Sequence, residues 1–214
     1  MKKILQLIFI VIGLTSCEAQ EVDGIWMSKG VIIDFDKRTI GTIHTDSNVP
    51  LNIDFKKSKL FMKGDTLNVD FKVYGKDSIK IDFGRNMMHV FRPLNLNHKL
   101  SFNKSQISDF LIKNDFEKIN GTIDIKFSDK FFFRDVMFEK PNKKNALINK
   151  SWNDEGYWYV KEIEQNLFLT FTLDQTTDQN IYQIISLDKC KIELVQLQEA
   201  EFGNAKISEL KTCL

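Results

Sequence analysis

From Gly24 onward the chain alternates apolar and polar residues with a period of two. In "GVIIDFD" Ile33 and Phe35 alternate with Asp34 and Asp36, and in "LNIDF" Leu51, Ile53 and Phe55 alternate with Asn52 and Asp54. In "TLNVDFKVYG" Leu67, Val69, Phe71 and Val73 share one side. Successive strand side chains point to opposite faces, so each such stretch buries one face and wets the other. Asp34 and Asp36 are accordingly expected on the wet side. Turn signals at Lys63-Gly64-Asp65, Gly75-Lys76-Asp77 and Gly84-Arg85-Asn86 join the strands as hairpins. The pattern predicts an all-β antiparallel meander, closed as a barrel or packed as a sandwich.

One helix interrupts it, expected near 105–114, with Ser105 as N-cap and Ile107, Phe110 and Leu111 on one face before Asn114. Strands resume in "GTIDIKF" and "FFFRDVMF", then in "EGYWYVKEI", "NLFLTFTL", "IYQIISL" and "CKIELVQLQ". The phrase "GVIIDFDK" is echoed by "GTIDIKFSDK", and "DSIKIDF" by "YQIISLDKCKIEL". The chain therefore divides either as two weakly repeated β modules, 22–98 and 99–214, or as two meanders that merely look alike.

The first residues have a different purpose. Lys2 and Lys3 precede an eleven-residue apolar run, Ile4 to Leu14, too short to span a bilayer core of about twenty residues. Charged start and apolar run make an export signal. The residues that follow, Leu14-Thr15-Ser16-Cys17, resemble the lipobox of bacterial lipoproteins. That resemblance implies a signal peptide at 1–16, acylation of Cys17, and a lipidated tether at 17–22. It also implies palmitate-type chains holding the protein to the outer membrane of the cell envelope, on its periplasmic or surface face. An ordinary signal peptide cleaved near Ala19 is the alternative. Because the implied chain is bacterial, the sequons at Asn103, Asn120 and Asn149 are not read as glycan sites.

Removing 1–16 leaves 198 residues with 28 basic and 29 acidic side chains. Signs are interspersed, so the sequence carries neither a footprint for nucleic acid nor a polybasic run. Cys190 and Cys213 remain as an even pair in an exported chain and are expected to be bonded to each other, with two buried or frayed thiols as the alternative.

His44, His89 and His98 are not spaced as a metal site or a triad. His44 and Asp46 would share a strand face as a conceivable metal pair, or else belong to a solvated turn. No phosphate loop, dinucleotide fingerprint, zinc-protease or serine-hydrolase motif occurs. No catalytic residue, metal or cofactor is assigned.

Asp23-Gly24-Ile25-Trp26, followed by a meander, resembles the G-x-W opening of lipocalin-like proteins, in which the Trp closes the base of the barrel. The larger lipocalins' T-D-Y motif has no counterpart, since Thr45-Asp46-Ser47 comes too early and lacks the Tyr. The resemblance implies a barrel and a binding role. Aromatic clusters at "SWNDEGYWY" and "KFFFRD" supply Trp158, Phe131, Phe132 and Phe133, which with Trp26 are the candidate ligand-lining residues. Because they face both ways along their strands, they line either a covered core or a sticky surface. Two roles follow: binding of a small apolar ligand, or docking of another envelope protein through a sheet face or edge.

Cys17→Ala is expected to leave uncleaved or soluble protein, because acylation supplies the membrane affinity. Membrane fractionation with a labelled fatty acid measures this. Equal membrane retention, with no label on the wild type, overturns the assignment.

Overall fold

Short turns of two kinds fold the first alternating stretch. Lys29 and Gly30 both take positive φ (46° and 79°) between Val31 and its partner Ser28, giving the two-residue hairpin whose twist matches the flanking strands. The turns 35–38 and 55–58 instead hold four residues, with Arg38 and Ser58 left-handed (φ 52° and 53°). In each the preceding aspartate fastens the turn: Lys37 N–H donates to Asp34 Oδ1 (2.8 Å) and Lys57 N–H to Asp54 Oδ1 (3.0 Å). The repeated phrase Ile-Asp-Phe is thus an inward Ile, a turn-fastening Asp, and a Phe at the strand's end.

The computed structural model of the chain describes residues 22–62, 68–84, 87–117, 124–133, 143–149, 154–172, 180–198 and 209–212. The expected signal, Cys17, the Lys63-Gly64-Asp65 turn, Arg85, Asn86 and Cys213 lie outside the described residues. Eight strands form the first half: β1 Ile25–Ser28, β2 Val31–Asp34, β3 Thr39–Thr42, β4 Asn48–Asp54, β5 Lys59–Met62, β6 Asn68–Tyr74, β7 Ser78–Asp82 and β8 Met88–Pro93. Each pairs antiparallel with the next, and β1 returns to β8 through Trp26↔Pro93 and Met27↔Arg92, closing a barrel. The second half holds β9 Asp115–Glu117, β10 Asp124–Phe133, β11 Lys143–Asn149, β12 Asp154–Ile163, β13 Asn166–Thr172, β14 Asn180–Leu187, β15 Lys191–Gln198 and β16 Glu209–Lys211. It closes likewise, with β9 between β10 and β16. The chain is all-β and antiparallel, and of the two expected packings it takes the barrel.

Each barrel has its own interior. In the first, Trp26, Ile33, Leu51, Leu60, Phe71, Ile79, Ile81 and Phe91 point inward, while β6 and β7 turn Asp70, Lys72, Lys80 and Asp82 to water. In the second, a chain of rings runs from Phe110 through Phe116 and Phe127 to Trp158, and from Phe127 through Phe171 to Tyr182. Helix α1, Lys104–Lys113, packs against β10 and β12 and adds Ile107 and Leu111 to that interior.

Its N-cap is Asn103, not the expected Ser105. Asn103 accepts from Gln106 N–H (3.0 Å) while the Gln106 side chain accepts from Asn103 N–H (2.9 Å), a reciprocal capping box. Among the described residues no helix is long and apolar enough to cross a membrane.

The wet-face assignment fails at β1 and β2, both of whose faces are covered. Asp34 is 8 % exposed, because the outward side chains Ile25, Met27 and Ile32 meet Phe168 and Ile181 of the second barrel, with Ile43 between them. The linker is pinned along the same seam. Leu94 and Leu96 join that apolar contact, Asn166 Nδ2 donates to Leu96 O (2.9 Å), and Gln183 Nε2 donates to Asn95 O (2.7 Å).

Cys190, just before β15, is disulfide-bonded. Strand β16 runs beside β15, and Thr212 N–H donates to Cys190 O (2.8 Å), so the chain reaches Cys190 one residue before Cys213. A Cys190–Cys213 cross-linked peptide is expected in non-reduced digests, and Cys190→Ser should cost roughly 3 kcal/mol for a loop of this length. Two alkylatable thiols in the native protein would rule the pairing out.

Candidate functional site

The first barrel leaves a cup of about 590 Å³ at one end, where β1 begins and the turns 35–38, 55–58 and 75–77 meet. Its floor is the Trp26 and Phe35 rings, edge to face with centroids 6.4 Å apart, and only 5 % and 4 % exposed. Phe55 stands against Phe35 (6.3 Å) and forms part of the wall with Val73. Trp26 Nε1–H donates to Asp23 O (2.7 Å), so the indole has spent its polar group on the chain itself and offers the cup an apolar ring.

Val22 and Asp23 lie along the opening, where Gly24 N–H donates to Asp36 Oδ1 (3.1 Å). Gly24 takes φ +73°, a conformation that a side chain disfavours, and this lets the entering chain bend over the rim. Arg38 and Lys76 complete the rim. An apolar floor under a charged mouth suits a small molecule with an apolar body and a polar end.

The sequence candidates do not assemble into one site. Trp26 lies in the cup. Trp158 sits in the interior of the other barrel at 0 % exposure, with Nε1–H donating to Ser128 O (3.1 Å) and its ring edge-on to Phe127 at 5.3 Å. It is a core residue there, with no surface left for a ligand. Phe131, Phe132 and Phe133 fall on β10, paired with Asn145, Lys144 and Lys143, and their side chains lie outside the described residues. The cup residues that sequence reasoning did not single out are Phe35, Phe55 and Val73. The available signal was the Phe that ends each Ile-Asp-Phe phrase at 33–35 and 53–55.

A second concentration of polar groups lies between the barrels. Lys104 Nζ is 2.7 Å from both Asp46 Oδ2 and Tyr159 Oη, and it lies 4.2 Å from the Tyr159 ring centre. Lys161, its side chain 7 % exposed, donates to Thr45 O and stands 3.9 Å from Asp46. Burial lowers the Lys161 pKa against the pull of Asp46, and burial followed by the nearby Asp46 raises that of Tyr159. Burial also opposes the Asp46 charge, but Lys104, Tyr159 and Lys161 outweigh it and hold the carboxyl below its ordinary range.

His44 and Asp46 lie in the turn that follows β3, where Asp46 keeps most of its side chain in water, in line with the solvated-turn reading. His44 Nδ1 lies 3.1 Å from Thr170 Oγ1 while Asp46 turns to Lys104, both across the seam. His89 packs edge-on to Phe83 (5.1 Å), and burial, then Lys29, lowers its pKa. Among the described residues no group of three or more His, Cys, Asp or Glu could hold a metal ion.

No family model, no curated protein and no solved structure matches the chain. The cup and the seam are thus read from their own geometry.

Trp158→Ala is expected to cost about 3–5 kcal/mol in unfolding free energy, as for a large ring removed from a packed interior. Chemical denaturation measures it. An unchanged midpoint, together with a change in ligand binding, would return Trp158 to the list of site residues.

Proposed function

We propose that the chain is an exported lipoprotein, held to the outer membrane through Cys17, whose first barrel binds a small, largely apolar ligand. The observation that carries the binding reading is the open cup at one end of the first barrel. It holds about 590 Å³ over the Trp26 and Phe35 rings. Concave sites of this size, with a few polar groups around an apolar floor, are where small molecules bind. The lipobox at Leu14-Thr15-Ser16-Cys17 supports the anchor, and the barrel architecture agrees with a binding role.

Docking of another envelope protein is the second reading. Both barrels close, which shortens the strand edge that an edge-docking partner would find among the described residues. The face-docking form keeps one supporting feature, the exposed Met87, Met88 and Val90 at the start of β8, away from the cup.

Titration of the mature, unacylated chain with the neutral probe N-phenylnaphthylamine is expected to give saturable binding. Phe55→Asp places a charge in the cup wall and should weaken that binding about tenfold or more, since an unpaired carboxylate is poorly tolerated against apolar surface. Because Phe55 is only half-buried, the fold should survive the change. Non-saturable binding, or equal affinity in the variant, would overturn the cup as a ligand site.

A further inference from the structure

We propose that the outer face of β6, β7 and β8 is the contact surface for a second copy of this chain, the two copies being related by a two-fold axis. Two rows of side chains cross that face. In one, Lys72 stands opposite Lys80, and Lys80 opposite Val90. In the next, two residues along the strands, Asp70 stands opposite Asp82, and Asp82 opposite Met88. All six side chains are exposed. Like charges directly across an antiparallel ladder destabilise it, and here two such pairs, of opposite sign, lie side by side.

Within the chain these charges are poorly matched. Lys72 Nζ and Lys80 Nζ both lie over the Tyr74 ring, 5.2 and 4.9 Å from its centre. Neither forms an ion pair among the described residues. Asp82 accepts from Gly84 N–H (2.8 Å) and likewise has no cation among them. Asp70 does have one, Lys59 Nζ at 2.7 Å on the neighbouring β5, yet its side chain is still 73 % exposed. Lys59 and the exposed Arg92 flank the two rows, on β5 and toward the end of β8.

An isologous contact needs a surface that complements itself. A two-fold axis that lies in this face, across the strands and between the two rows, sets each row against the other row of the second copy. Lys72 then meets the copy's Asp70, Lys80 its Asp82 and Val90 its Met88, and symmetry supplies the reciprocal contacts. Strands of the two copies run antiparallel in this arrangement, within the range of aligned sheet packing. Charges that oppose their own kind within the ladder thus find the opposite kind across the contact, beside an apolar pair. The contact depends on neither the lipid anchor nor the cup.

Sedimentation equilibrium of the mature chain with Cys17→Ser, carrying no lipid, is expected to show monomer and dimer in exchange, with the dimer weakening as salt is raised. Lys72→Glu with Lys80→Glu makes both rows acidic, and Asp70→Lys with Asp82→Lys makes both basic. Each should weaken the dimer about tenfold or more, because like charges then meet across the contact. Mixed in equal amounts, the two variants should form a heterodimer, since every charged contact between them is again one of opposite signs. Lys99→Glu with Lys113→Glu changes the net charge as much at exposed sites off this face, and should leave the dimer within about twofold. Circular dichroism checks that each variant is folded. A wild-type chain still monomeric at about 0.5 mM, where even weak specific contacts assemble, would overturn the proposal. So would a dimer that survives the reversals, or folded variants that form no heterodimer. If the aspartate variant does not fold, the lysine variant and the Lys99 and Lys113 control decide, and equal loss in those two overturns it.

Discussion

The arrangement of this protein depends on one apolar contact, between the outer face of β1 and β2 and the outer face of β13 and β14. Ile25, Met27 and Ile32 would be exposed if the first barrel stood alone, and Phe168 and Ile181 if the second did. Burying side chains of this size stabilises by roughly 1.5–3 kcal/mol each relative to leaving them in water. Every later feature of the seam is positioned by that contact. The 43–47 loop is brought to Thr170 and Lys161, and the linker is laid over Asn166 and Gln183.

The polar groups of the seam do a different job from the apolar ones. Taking Lys161 out of water is costly, and the Thr45 carbonyl with the nearby Asp46 offsets that cost only in one relative placement of the barrels. Asn166 is equally demanding. Its amide donates to Leu96 O and Glu164 O while its oxygen accepts from His98 N–H and Gln183 Nε2. An apolar face tolerates sliding, whereas a buried amide with four fixed partners does not. Greasy contact brings the barrels together, and the polar bonds choose the register.

How far these features can be read from the sequence depends on whether their cause is local. Strand alternation is local, and Leu51, Ile53, Val69, Phe71, Ile79 and Ile81 point inward as the period-two pattern requires. Asp34 is misread by the same rule, because what covers it lies in the other barrel. The continuous apolar runs at Ile25-Trp26-Met27 and Val31-Ile32-Ile33 were the available sign that both faces are covered. The Glu164-Gln165 turn, with φ 50° and 66°, has neither Gly nor Asn to announce it, and the pairing Ile163↔Asn166 imposes the conformation from outside. The cup was invisible for a related reason. Phe35, Phe55 and Val73 come from three separate segments that only closure of the barrel brings together, and the same holds for the cations around them.

The clamp at Gly24 also decides how the molecule bears a mechanical load. A pull on the N-terminus acts first on the Gly24–Asp36 and Phe35–Gly24 bonds, and then along the axis of β1. That strand is hydrogen-bonded on both sides, to β2 and to β8, and its side chains are buried both inside and outside the barrel. Force along its length must therefore shear two ladders and two apolar layers at once instead of unzipping them one bond at a time. A protein hung from a membrane by its first residues would be suspended from one of its best-covered strands.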